Sequence, residues 1–227
     1  RLTHNLQSIL KNMPMPKRAV IGEPTGFDII NTHKGVAQFK LRIKGLAGHS
    51  SRPDLGTNAI VATHKVIKAV SELNEKLLRE KPNSQRKNFP DFPFNYLHLA
   101  TINGGQAANM IPDLCEMVFS YRLFPKEPER QLFNEFKEMV SRLNLGIELE
   151  FEFIYNTPAM PCAHEPELEN LLKDITGKGL RSVSFATDGG YFSKLGIETF
   201  VCGAGQIAQA HMPDEFISVK DFMAGTD

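Results

Sequence analysis

The sequence has no surplus of charge in either direction: Lys and Arg together number 26, as do Asp and Glu. A basic stripe or patch, the usual footprint of a nucleic-acid or anionic-membrane partner, is therefore not expected. Cysteine is scarce, with Cys115, Cys162 and Cys202 far apart and no CxxC pair. An odd, scattered set supplies neither a disulfide framework nor a thiolate zinc site. Three small core residues in a reducing compartment are expected, with the cytoplasm as the location. No apolar run approaches the ~18 residues that a membrane span requires. The amino end, Arg1-Leu2-Thr3-His4, has neither an initiator Met nor the apolar core of a signal peptide. Leu6 to Lys11 reads as a helix end before the turn-rich Asn12 to Pro16, and Asp221 to Asp227 as a helix start. The expectation is a piece of a longer chain.

What is present has the makeup of a globular protein, 227 residues with 41% hydrophobic and 23% charged, room for one large domain or two smaller ones. Arg18 to Ile21 is a short apolar run that reads as a buried strand delivering Glu23 into the loop Gly22-Glu23-Pro24-Thr25. From Gln38 to Gly45 apolar and polar residues alternate with period two, the pattern of a strand with one face on a core. Asn58 to Leu78 places Ile60, Val61, Val66, Ile67, Val70 and Leu73 at helical spacing, with Thr57 or Asn58 as cap. Strands over Tyr96–Ile102 and Cys115–Leu123, a helix from about Glu129 to Leu143 and an alternating strand Ile147–Phe153 follow. Residues 35–154 thus spell β-α-β-β-α-β, the order of a ferredoxin-like domain. Beyond Thr157 a helix (Glu165–Thr176), a strand (Ser182–Phe185), a helical turn (Tyr191–Lys194) and a strand (Thr199–Cys202) restore the alternation of a doubly wound sheet. The expected architecture is an α/β domain, residues 1–32 and 157–227, interrupted by a ferredoxin-like domain over 33–156.

Three loops concentrate residues able to do chemistry. Pro24 fixes its own φ and biases Glu23 toward an extended backbone, which aims a carboxylate suited to a cation such as zinc. His211, in Gln209-Ala210-His211-Met212-Pro213-Asp214-Glu215, has two carboxylates near enough to orient it. His49 lies between Gly48 and Ser50-Ser51, where an imidazole is able to stabilise an oxyanion. Taken singly, each is more often a surface or loop residue.

The combination is more specific. Ile21-Gly22-Glu23-Pro24-Thr25, His33-Lys34-Gly35, Gly48-His49-Ser50-Ser51 with Pro53, Gly56 and Asn58-Ala59-Ile60, Gly104-Gly105, Asn109-x-Ile111, Cys115-Glu116, Arg122 before Pro125, and Gln209-Ala210-His211-x-Pro213-Asp214-Glu215 occur in this order. Over about Arg18 to Phe216 the chain resembles the zinc hydrolase family of acetylornithine deacetylase, succinyl-diaminopimelate desuccinylase, glutamate carboxypeptidase and aminoacylase, its deacetylase branch above all. The resemblance implies a two-zinc catalytic domain interrupted by a ferredoxin-like lid that is also the dimerisation domain, with cobalt able to replace zinc. It implies that Glu23 ligates one zinc and His211 the other, and that His49 reaches a partner subunit's active site to stabilise the oxyanion. Asn109 and Arg122 would bind the carboxylate side of the substrate, and Thr187, in Ala186-Thr187-Asp188-Gly189-Gly190, would sit in a pocket-lining loop. The reaction implied is removal of an acyl group from an N-acyl amino acid, N-acetylornithine to ornithine and acetate first of all, in a homodimer. The family's His-x-Asp ligands, bridging Asp and Glu-Glu pair have no counterpart before Glu23, so this chain is expected to be inactive alone. The Asp188-Gly189 pair departs from the Thr-Glu usual in deacetylases and keeps a desuccinylase or dipeptidase open. A non-catalytic dimerisation or binding module is the alternative from another class.

Overall fold

The computed structural model describes residues 14–226. The helix end read at Leu6 to Lys11, and His4, lie outside the described residues. In chain order the elements are β1 (Arg18–Ile21), β2 (Ile29–His33), β3 (Gly35–Lys44), β4 (Gly48–His49), α1 (Ala59–Arg79), β5 (His98–Gly104), β6 (Met110–Ile111) and β7 (Leu114–Leu123). There follow α2 (Gln131–Arg142), β8 (Glu148–Thr157), α3 (Pro166–Thr176), β9 (Leu180–Val183), α4 (Gly189–Lys194), β10 (Glu198–Val201) and α5 (Val219–Ala224). They form two units. The first takes in the chain up to Gly35, Phe124–Lys126 and everything from Thr157; the second comprises Val36–Leu123 and Glu127–Asn156.

The second unit is the ferredoxin-like insertion. Its sheet has the order β5-β7-β3-β8, so the first and third strands of the motif are central. Burial alternates strictly along β3, with Ala37, Phe39, Leu41 and Ile43 inward. On β7 the inward set is Cys115, Met117, Phe119, Tyr121 and Leu123. The core is aromatic: Phe39 stacks on Phe119 at 5.2 Å and meets Phe133 and Phe136 of α2 at 5.1 and 4.9 Å. Each such ring contributes about 2–3 kcal/mol by leaving water. α1 is capped as its sequence foretells, Asn58 Oδ1 accepting from Val61 N at 3.0 Å.

The other face of this sheet holds a ladder of ion pairs. Arg42 binds Glu116 at 2.6 Å and Glu150 at 2.7 Å, and Lys44 binds Glu148 and Glu150. These pairs are partly exposed and each is worth under about 1 kcal/mol.

In the first unit the sheet order is β1-β10-β2-β9, with β1 parallel to β10, β2 parallel to β9, and β10 antiparallel to β2. Alternate residues feed two clusters: Ile29 and Phe200 pack with Ala163 and Leu172, whereas Ile30 and Val201 pack with Met160. β2 has no strand signature in the sequence, because Ile29-Ile30 is followed by Asn31, Thr32 and His33. Thr32 and His33 are buried nonetheless, through hydrogen bonds that only the fold supplies: Thr32 Oγ1 donates to Met160 O at 2.8 Å. The strand read at Ser182–Phe185 begins two residues earlier, at Leu180, where it pairs with Ile29. Cys115 is buried, whereas Cys162 and Cys202 are only half-buried; all three are free thiols. No helix among the described residues is long and apolar enough to cross a membrane.

Candidate active site

Because β1 and β10 are parallel, their carboxyl ends point the same way, and in open α/β sheets ligands bind beyond such ends. Glu23 follows β1, and the loop leading to His211 follows β10. The two loops are laced together by hydrogen bonds: Gly26 N donates to Gly205 O at 2.7 Å, Phe27 N to Gly203 O at 3.0 Å, and Gly203 N to the Thr25 side-chain Oγ1 at 3.2 Å. Gly203 has no alternative, since a Cβ there would lie 2.6 Å from Glu23 O. Beside this junction is an open cleft of about 520 Å³ lined by Pro24, Gly205, Gln206, Glu215 and Phe216 among others.

The Glu23 carboxylate is half-buried and makes no hydrogen bond or ion pair with the described residues. His211 is exposed, with φ at +63°, a left-handed backbone uncommon outside glycine. Glu215 does touch His211, but at its backbone: the His211 N–H donates to Glu215 Oε2 at 3.1 Å. No group of three His, Cys, Asp or Glu side chains able to hold a metal occurs among the described residues. A zinc takes at least about three protein ligands even in an open catalytic site. The described residues therefore do not fit a zinc ion unaided.

In the second unit, the short pair β4–β6 sets His49 opposite Met110, and Ser50 N donates to Asn109 O at 3.0 Å. His49 and Asn109 are thus brought side by side, both exposed. The His49 Nδ1 receives the Ser51 N–H at 3.2 Å and lies 2.7 Å from Ser51 Oγ. An Nδ1 that accepts leaves the proton on Nε2, which faces outward as a donor. Arg122 occupies the same face of β7 as Glu116 but no carboxylate pairs with it among the described residues. Packed surroundings lower its pKa, with Tyr155 acting in the opposite sense. Its side chain still reaches water, so the guanidinium stays charged.

Thr187 differs from the other five. It is 5% exposed, lies 3.0 Å from His33 Nε2 through its Oγ1, and accepts the Gly189 N–H at 3.0 Å. His33 is wholly buried and its Nδ1 lies 2.9 Å from Lys34 O. Burial holds its pKa down at about 4, against a small upward pull from that carbonyl. The sequence marks His33 only as part of His33-Lys34-Gly35; nothing in its spacing announces a buried imidazole. Lys34 is buried beside it, with its Nζ 4.5 Å from the Phe124 ring centroid.

An open α/β sheet with apposed loops at parallel strand ends, its chain interrupted by a ferredoxin-like unit, defines a two-part α/β architecture. Residues 31–148 match the peptidase dimerisation domain. The chain belongs to the M20 peptidase family that this domain defines. It is 33% identical to the acetylornithine deacetylase of Proteus mirabilis over 212 residues, covering 90% of this chain and 52% of that enzyme. With the acetylornithine deacetylase of Vibrio campbellii it shares 33% identity over 223 residues, 95% of this chain and 57% of the relative. The chain thus spans about half the length of the curated relatives it matches. Among solved structures, the M20 metallo-carboxypeptidase Sso-CP2 of Sulfolobus solfataricus superposes with a TM-score of 0.68 at 16% identity, over 99% of this chain and 64% of that one. The di-peptidase Dug1p of Saccharomyces cerevisiae gives 0.65 at 13% identity, over 99% and 59%. At these identities the structures speak for the fold alone.

Proposed function

We propose that this chain is the lid and part of the catalytic frame of a zinc-dependent amide hydrolase that removes the acyl group of an N-acyl amino acid, N-acetylornithine being the first candidate. The observation that supports this most is the identity of about a third to acetylornithine deacetylases over nine-tenths of the chain. In this reading Glu23 and His211 each contribute one ligand to a zinc pair, with cobalt able to substitute, and the remaining ligands come from outside the described residues.

The second unit supplies the substrate groups and the dimer contact. Arg122, a guanidinium that no carboxylate among the described residues pairs with, takes the substrate carboxylate in a bidentate pair, assisted by Asn109. His49, with Nε2–H outward, donates to the oxyanion in the active site of a partner subunit. Homodimerisation runs through the ferredoxin-like unit, whose edge strand β5 is exposed and carries no Lys, Glu or Pro to deter pairing. Placement in the cytoplasm and in the supply of an amino acid belongs to the same reading.

The deciding assay loads a protein carrying this chain together with the rest of the relatives' length with zinc or cobalt. It is expected to release acetate from N-acetylornithine; activity confined to N-succinyl substrates or dipeptides would replace the deacetylase assignment. The 227-residue chain alone is expected to show no turnover and no tight zinc site by calorimetry. Turnover by that chain would refute this division of the ligands. A light-scattering mass of one chain at high concentration would remove the dimer and with it the role of His49 in the neighbouring subunit.

A further inference from the structure

We propose that His33 is a positioning residue, which together with Thr187 fixes the turn Asp188–Gly190 from inside the first unit, so that Asp188 rather than Thr187 is the side chain this turn presents to a ligand. The geometry sets the direction of every proton. The Lys34 carbonyl can only accept, so His33 Nδ1 is protonated and donates at 2.9 Å. Thr187 Oγ1 already accepts from Gly189 N at 3.0 Å, and its own proton points to His33 Nε2 at 3.0 Å. The chain is therefore Gly189 N–H to Thr187 Oγ1, Thr187 O–H to Nε2, and Nδ1–H to Lys34 O. The single hydroxyl proton of Thr187 is committed inward, in a side chain 5% exposed.

The rest of the turn is packed as closely. A Cβ at Gly189 would stand 3.3 Å from His33 Nε2 and 3.2 Å from Thr187 Oγ1, and one at Gly190 would stand 2.1 Å from Pro158 O. His33 is itself anchored, paired with Val183 of β9 and joined to Met160 by two backbone hydrogen bonds of 3.2 and 3.0 Å. Thr187, Gly189 and Gly190 are buried, and Asp188 between them is exposed. Its backbone carbonyl accepts from Tyr191 N and Phe192 N, while its carboxylate has no hydrogen bond or ion pair among the described residues. A ligand meeting this turn meets an exposed carboxylate carried on a fixed backbone, which suits a cationic group such as an amine.

This inference rests on the proposed hydrolase reading only for the claim that the turn faces a ligand, and its test does not use turnover. Long-range nitrogen–proton NMR on the chain at neutral pH is expected to show His33 as the neutral Nδ1–H tautomer, and His49 as the opposite one. Thr187→Val should speed exchange of the Gly189 amide about tenfold, the loss of one hydrogen bond, and Thr187→Ser should restore it. An Nε2–H tautomer or an imidazolium at His33 would overturn the proposal without any variant having to fold. So would unchanged Gly189 exchange in Thr187→Val. If acetate release fails while these signatures hold, the hydrolase reading falls and the positioning pair stands.

Discussion

Acid should weaken the first unit through one residue, His33. Its imidazole sits at about 4 in the folded chain against an ordinary 6.5, because burial penalises the charged ring. Since the folded value is depressed, the stabilisation is complete above 6.5 and is lost as pH falls toward 4. The unfolded chain takes up the proton first over that interval. At about 1.4 kcal/mol per pH unit the whole interval is worth about 3 kcal/mol, of which about 2 kcal/mol is lost between pH 7 and 5. His33 is 0% exposed, so solvent screening does not reduce this figure. The measurement is hydrogen exchange of β2 and β9 amides, corrected for intrinsic rate, in the wild-type chain and in His33→Gln. Protection should fall about 20-fold more steeply from pH 7 to 5 in the wild type, about 2 kcal/mol converted to a ratio. All other titrating groups are common to both proteins and cancel in the difference. Coincident pH slopes would refute the buried neutral imidazole.

Other perturbations test the packing. Phe39→Ala removes a ring touching Phe119, Phe133 and Phe136 and should cost about 3–5 kcal/mol in urea unfolding of the second unit. Gly190→Ala should destabilise the first unit by about 3 kcal/mol, because the obstruction is the backbone carbonyl of Pro158. Gly189→Ala should cost less when the two variants are compared by thermal melt, its nearest obstacle being the movable Met160 sulfur at 2.7 Å. Glu127→Ala withdraws the 2.7 Å partner of the Arg86 Nε, in a guanidinium side chain 10% exposed. It should cost about 2 kcal/mol and loosen the loop around Arg86, read as faster proteolysis there.

The ferredoxin-like unit was legible in the sequence because its signals are local. Period-two alternation along Gln38–Lys44 and the helical spacing after Asn58 each arise from one face meeting a core, and a single window of chain records that. Glu23 and His211 were legible as loop residues after strands for the same reason. What no window records is which loops meet. The lacing of Gly203 and Gly205 to Thr25, Gly26 and Phe27 comes from the parallel pairing of β1 with β10, about 180 positions apart in the chain. β2 went unread because Thr32 and His33 are polar, and their burial is tolerable only where Met160, Lys34 and Thr187 complete their hydrogen bonds. Thr187 shows the difference most sharply. The family resemblance only implied that it sits in a pocket-lining loop, and the tertiary contact with His33 decided that its hydroxyl points inward.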